Sequence, residues 1–233
     1  MSIINNSYGF IFVHVPKAAG TSVTAALSGL TNYCDLEIGG TNFGERIQPA
    51  YGERFGILKH STASELRQVV GSILWSKYFT FSFVRNPYTR CLSTFYFLKK
   101  WEGGNRQLRE KLQSYQSFSE YVLSDVWETT NGPDQIFLPQ AYWLRERPNR
   151  DKILIQKIGK LENLETDLRD ILKIIDAPKR LTENLKVSQL NKSREEAYET
   201  LTNAAVIEKI NKKYAVDFET FEYSENPDLM NGS

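Results

Sequence analysis

Phe10-Ile11-Phe12-Val13-His14-Val15 is apolar at nearly every position, the pattern of a central strand buried on both faces. A turn of small residues, Pro16 to Gly20, follows it. Val23, Ala26, Leu27 and Leu30 then recur at helical spacing, with Thr21 or Ser22 placed to cap the start. Strand, small-residue loop and helix in this order aim a helix N-terminus at an anion. Phe55 to His60 reads as a second strand, running into Thr62-Ala63-Ser64-Glu65, which has the form of a capping box. Tyr78 to Val84 is rich in aromatic and β-branched residues and reads as a third strand. Beyond it, Asn86 suits an N-cap and Pro87 the first helical position.

From Lys99 to Asp151 the periodicity fades, with Gly103-Gly104, Asn131-Gly132-Pro133 and Pro148 as punctuation. Ile153 to Ile158 is another short strand. Leu161, Leu164, Leu168, Ile171, Leu172 and Ile175 mark an amphipathic helix that stops near Pro178. Val206, Ile207, Ile210 and Tyr214 mark a last helix. Strands alternating with helices predict an α/β fold, a single domain over residues 1–233 with a mostly parallel sheet flanked by helices.

Charge and cysteine usage narrow the function classes. The 29 Lys and Arg balance 28 Asp and Glu, for a formal net charge of +1, which argues against a dedicated nucleic-acid binder. Cys34 and Cys91 alone make no disulfide framework, and with His14 and His60 as the only histidines no metal centre is expected. No segment approaches the roughly 18 to 20 continuous apolar residues of a membrane-spanning helix. Met1 to Gly9 is polar and lacks the form of a signal peptide. The expectation is a soluble, cytoplasmic protein without integral membrane association.

Two segments carry candidate chemistry. In Pro16-Lys17-Ala18-Ala19-Gly20-Thr21-Ser22, small residues let backbone N–H groups approach a phosphate, Thr21 and Ser22 add hydroxyl donors, and Lys17 adds charge. An ATP-binding loop of the form GxxxxGK[ST] has its Lys directly after the final Gly. Here Lys17 precedes Gly20 by three residues, at the other end of the loop. In the second segment, Phe83 to Ser93, Arg85 leaves the C-terminal end of a strand, where ligands of open α/β sheets bind. Ser93 lies seven residues beyond Asn86, about two helical turns, so Arg85 and Ser93 can grip one phosphate. Either segment alone reads equally well as a solvated turn or a surface ion pair.

Together the two segments resemble the sulfotransferases that use 3′-phosphoadenosine 5′-phosphosulfate (PAPS), in the branch of the family 2 carbohydrate sulfotransferases and their bacterial relatives. The resemblance continues through Leu138-Pro139-Gln140, Ile158 to Leu164, Leu190-Asn191-Lys192-Ser193 and Tyr214 to Phe218, in the family's order. It implies a P-loop-kinase-like sulfotransferase architecture and roles residue by residue. Lys17 would contact the phosphosulfate and stabilise charge on the leaving oxygen. Ala18, Ala19, Gly20, Thr21 and Ser22 would bind the 5′-phosphate, and Arg85 and Ser93 the 3′-phosphate. Asn191, Lys192 and Ser193 resemble a later segment that closes over the nucleotide. PAPS would be the donor and PAP the product, with no metal required. The expected partner is a hydroxyl-bearing acceptor, a glycan or glycosylated metabolite.

An acceptor hydroxyl needs a base as the S–O bond forms, and an imidazole titrates in the right range. In part of the family a His at the place of His60 serves, often preceded by Gly where this chain has Lys59. Glu53 is the acidic substitute, and His14 reads as a hydrogen-bonded core imidazole. Tyr96, Trp101, Tyr142 and Trp143 are stacking candidates for which packing is the commoner role. The clusters Lys99, Lys100, Arg106, Arg109, Lys111 and Arg145, Arg147, Arg150, Lys152 read as solvated faces, or as guides for an anionic glycan. The alternatives are a small ATP-dependent kinase on the same fold and a catalytically silent nucleotide-binding relative.

Overall fold

The computed structural model describes residues 2–147, 151–183, 185 and 201–229. In chain order the elements are β1 (Ser2–Asn5), β2 (Phe10–Val13), α1 (Gly20–Leu27), β3 (Leu36–Ile38), α2 (Asn42–Phe55), α3 (Ala63–Lys77), β4 (Phe79–Val84), α4 (Pro87–Leu98), α5 (Arg106–Ser114), α6 (Phe118–Leu123), α7 (Val126–Thr129), α8 (Ala141–Leu144), β5 (Lys157–Lys160), α9 (Leu164–Ile174), α10 (Lys179–Glu183) and α11 (Ala204–Thr220). They form two compact units, residues 1–84 with 140–188 and residues 85–139 with 189–233.

The first unit holds one five-stranded sheet in the order β3-β1-β2-β4-β5. β2 runs parallel to β4, pairing Phe12 with Phe81, and β4 runs parallel to β5, pairing Phe83 with Gly159. Alternation along the strands sends Phe10, Phe12, Phe81 and Phe83 to one face, where they join Val23 and Leu27 of α1 and Leu164, Leu168, Ile171 and Leu172 of α9 in one buried cluster. Phe12 and Phe81 stack with centroids 5.3 Å apart. On the opposite face Ser82 donates its hydroxyl to the carbonyl of Val13 at 2.7 Å, so a polar residue sits satisfied inside a buried strand.

The expected mostly parallel sheet describes its middle. β1 lies antiparallel to both β2 and β3, and neither β1 nor β3 was anticipated from the pattern. Asp35 ties the β1–β2 turn to the segment before β3. It accepts from the backbone N–H groups of Asn6 (2.6 Å), Ser7 (3.0 Å) and Asn32 (2.8 Å).

The second unit is helical. α4 and α11 present Tyr88, Cys91, Leu92 and Phe95 and Val206, Ile210, Tyr214 and Phe218 at three- and four-residue spacing to a core shared with Phe118, Tyr121, Trp127 and Phe137. Tyr121 meets Trp127 edge-on at 5.5 Å, and Trp127 meets Tyr214 at 5.9 Å. Arg90 lies buried among them. It donates to the carbonyls of Leu138 and Ile136, both at 3.1 Å, and lies over the Tyr214 ring. The irregular Lys99 to Asp151 stretch thus contains α5 to α8, with Asn105 and Ser117 as side-chain N-caps of α5 and α6.

Three boundaries differ from expectation. Phe55 to His60 is not a strand: Phe55 ends α2, Gly56 takes the left-handed backbone of a helix terminus (φ 68°), and His60 sits in a turn. Thr21 and Ser22 do not cap α1, which starts at Gly20 with Ala19 as N-cap and no side-chain cap. The strand expected at Ile153 to Ile158 is displaced to Lys157–Lys160, and Ile153 makes only an isolated bridge with Arg145.

Candidate functional site

The Pro16–Ser22 loop leaves the C-terminal end of β2. Its backbone alternates in hand: Lys17 (φ 65°) and Ala19 (φ 64°) are left-handed, with Ala18 between them in the ordinary half of the map. Each left-handed non-glycine residue costs of order 1 kcal/mol or more, and such strain concentrates at ligand sites. The Ala18 N–H closes the turn by donating to the Val15 carbonyl at 3.3 Å, so the anion-binding arrangement rests on the N–H groups that open α1. The first-turn N–H groups of α1 have no intrahelical acceptor, and Ala19 offers no side chain to take one. Thr21 is exposed and Ser22 half-buried at this terminus, whereas Ala18 packs inward.

His60 is fixed by its neighbours' backbone. The N–H of Lys59 donates to Gln48 Oε1 at 2.9 Å, and Ser2 Oγ donates to the Lys59 carbonyl at 3.2 Å. Trp143 on α8 donates its indole N–H to the His60 carbonyl at 3.0 Å. Next in the chain, Thr62 and Glu65 complete the anticipated capping box of α3. The imidazole itself lies against the end of β2: Nδ1 is 3.5 Å from the carbonyl of His14, and the two histidine rings have centroids 4.5 Å apart. The sequence placed His60 after a strand; the structure brings it to the loop at the end of β2 by way of a turn instead.

His14 is only partly enclosed, yet burial holds its pKa well below the usual imidazole value, with Coulombic repulsion from His60, Lys59 and Lys17 acting in the same sense. A Cβ added to Gly20 would come 1.7 Å from His14 Nε2. Only glycine there admits the ring.

Arg85 follows β4 directly, and the register that pairs Val13 with Ser82 ends β2 and β4 at the same edge of the sheet. Asn86 accepts from the N–H of Tyr88 and Pro87 opens α4, as the sequence predicts. Thr89 and Ser93 lie four residues apart on one stripe of α4, and Arg85 precedes that helix by two residues. The buried Arg85 donates its Nε–H to Thr89 Oγ1 at 2.9 Å, which ties the guanidinium to the first turn of α4. Thr89 was not singled out from the sequence, although its spacing from Arg85 and Ser93 is the signal that finds it. Trp143 was read as a packing or stacking residue, and its hydrogen bond to His60 had no sequence signal.

Other candidates are dispersed. Tyr96 is exposed, Trp101 packs against the aromatic core, and Tyr142 carries the Arg147 guanidinium 4.1 Å from its ring centre. Glu53 lies exposed on α2. Of the basic clusters, Lys99 donates to the carbonyls of Gln113 and Tyr115, Arg106 pairs with Glu110, Lys111 with Asp125 and Lys152 with Glu146. Arg150, Asn191, Lys192 and Ser193 lie outside the described residues. Among the described residues no helix is long and apolar enough to cross a membrane.

The model of the sulfotransferase family, in its family 2 form, matches residues 1–224. An uncharacterized protein of Archaeoglobus fulgidus is 29% identical over 117 residues, covering 50% of this chain and 82% of that protein. No solved structure matches.

Proposed function

The chain belongs to the sulfotransferase family, and from that premise we propose that it moves a sulfuryl group from PAPS to a hydroxyl, with a carbohydrate as acceptor. The observation that carries the reading is the loop at the end of β2. Left-handed Lys17 and Ala19, together with the uncapped terminus of α1, make an anion cradle whose lysine lies on the strand side of Gly20 rather than the helix side. That position suits a charge that follows the bridging oxygen better than the β,γ-phosphate clamp of an ATP loop. The family match runs through both compact units, which supports reading residues 1–224 as parts of one sulfotransferase domain.

In the proposed reaction the acceptor oxygen attacks sulfur in line as its proton passes to His60, while the bond from sulfur to the phosphate oxygen breaks. A carbonyl can only accept, so the 3.5 Å contact with His14 suits a proton on His60 Nδ1, and the base role is assigned to Nε2. Lys17 neutralises charge gathering on the departing phosphate. Ala18 to Ser22 hold the 5′-phosphate, the first turn of α1 supplying the amides. Arg85 and Ser93 take the 3′-phosphate that separates PAPS from ATP, with Thr89 orienting the arginine. Asn191, Lys192 and Ser193 retain the nucleotide-closing role that their resemblance implies. As in phosphoryl transfer, positioning and electrostatics do most of the work.

The test is thermal unfolding with saturating PAP, in parallel with ATP and Mg²⁺, for the wild type and Arg85→Ala. A ligand at 100 times its Kd stabilises by about 2.7 kcal/mol. At this chain length that is a rise of roughly 5–10 °C. The reading expects a PAP-specific rise, independent of Mg²⁺ and lost in Arg85→Ala. A flat response to PAP beside a clear response to Mg·ATP would transfer the assignment to a kinase.

A further inference from the structure

The reaction just described uses one histidine, and the chain places its second against the first. The His14 ring is bounded on three sides. The Phe12 ring stacks at 6.0 Å, the His60 ring lies at 4.5 Å, and the backbone of Gly20 comes so close that any Cβ would overlap Nε2. Gly20 opens α1, the helix whose amides face the proposed donor phosphate, and His60 is the proposed base. One imidazole therefore touches both halves of the proposed chemistry. Neither half requires it: a phosphate cradle needs amides and Lys17, and a base needs only His60.

We propose that His14 is a positioning residue for sulfuryl transfer, a spacer wedged between the Gly20 backbone and the His60 ring that sets the separation of the donor loop from the base. The inference rests on the sulfotransferase reading and deepens it. Direct packing supplies the mechanism. A shift of the loop at Gly20 presses on His14, and His14 presses on His60. The chemistry of the spacer also fits. Burial, reinforced by His60, Lys59 and Lys17, disfavours a proton on His14, so it does not compete for the proton that His60 takes from the acceptor. A ring smaller than phenyl passes beside Gly20, and an aliphatic side chain would not offer a flat face to His60.

With two histidines in the chain, ¹³C-labelled imidazoles give two ring signals, assigned by His14→Ala and His60→Ala. The same proteins, with Gly20→Ala and the double variant His14→Ala/Gly20→Ala, are compared by PAP-induced thermal shift and by PAP release from PAPS with a mixture of hydroxyl acceptors. The proposal expects the His60 signal to move when His14 is removed. His14→Ala keeps the PAP shift and the KM for PAPS but loses about 10²-fold in kcat, the scale of an ångström of misplacement. Gly20→Ala, whose new methyl displaces the ring, loses turnover too. The double variant regains the thermal stability that Gly20→Ala loses without regaining turnover, because the methyl fills space but positions nothing.

Unchanged kcat in His14→Ala, or full turnover in the double variant, would reduce His14 to packing. So would a His60 signal indifferent to the loss of His14, a result that needs no activity. If His14→Ala does not fold, His14→Asn keeps a small planar polar group and is read the same way. A wild type that neither responds to PAP nor releases it from PAPS is a different failure, that of the sulfotransferase reading itself.

Discussion

The sheet unit and the helical unit hold their shape by different means. In the first, the proposed base His60 sits in a turn fixed by single polar contacts: Gln48 and Ser2 on Lys59 and Trp143 on His60. Each such contact contributes about 1 kcal/mol net. In the second, Thr89 and Ser93 ride on a regular helix whose other face is clamped by an aromatic core around Arg90. Removing one large aromatic there costs about 3–5 kcal/mol. Damage to the sheet unit's loops should therefore appear first as lost turnover, and damage to the helical unit first as lost stability.

The largest expected separation is at His60. His60→Ala should lower kcat by about 10²–10⁴-fold, the range of a lost general base. Its melting temperature should stay within a few degrees of the wild type, since the Trp143 contact is to backbone. Trp127→Ala is the converse, a loss of about 3–5 kcal/mol in urea unfolding with the per-molecule turnover of the folded protein retained. Should Trp127→Ala lose turnover at full stability, the division of labour between the units is wrong. A smaller effect is expected at Thr89→Val, which removes the Arg85 Nε partner without changing side-chain shape. PAP affinity should fall roughly tenfold by calorimetry, about 1.4 kcal/mol, while ATP binding is unaffected.

The finest contrast is in pH. Burial works against the charge of Asp35, but hydrogen bonds from Asn32, Ser7 and Asn6 outweigh it and lower its pKa from 3.8. Its contribution is present above that value and fades as the pH falls through the lower folded one. Tyr88 is the opposite case. Burial pushes it up to about 12, opposed by its hydrogen bond to Asn211 and aided by the charge of Glu225. Its contribution is whole below the ordinary pKa of 10.0 and is lost as the pH climbs toward the folded value. Asp35→Asn should flatten the acid limb of a stability profile and Tyr88→Phe the alkaline limb, each leaving the other unchanged.

What the sequence disclosed follows the same division. Phe10 to Val13, Tyr78 to Val84 and the Leu161 to Ile175 stripe are long or strongly periodic, and caps such as Asn86-Pro87 and Thr62 with Glu65 act within a few residues. Those were readable. β1 and β3 are four and three residues long with polar residues among them, too short to show a period, and both depend on pairing with partners elsewhere. Phe55 to His60 misled because an apolar run of that length also fits a helix end, which Gly56 decides only once its left-handed backbone is known. The loop and the Arg85 motif were visible because each is local. The contact between His14 and His60 spans 46 residues and depends on where α2 ends and α3 begins, information no local pattern holds.

The threading of the chain carries a consequence for synthesis. Each unit is assembled from two separated stretches, residues 1–84 with 140–188 and 85–139 with 189–233, so the polypeptide crosses from one to the other three times. As the chain leaves the ribosome, the sheet cannot gain β5 until residues 157–160 have emerged, long after β4 has lost its tunnel. The aromatic core waits longer still, for Val206 to Phe218 of α11. For most of translation Phe81, Phe83, Trp127 and Phe137 are exposed beside incomplete partners, the condition under which nascent chains aggregate or recruit chaperones. Of the three crossings, only a cut at the middle one, between residues 139 and 140, would leave no fragment that contains a whole unit.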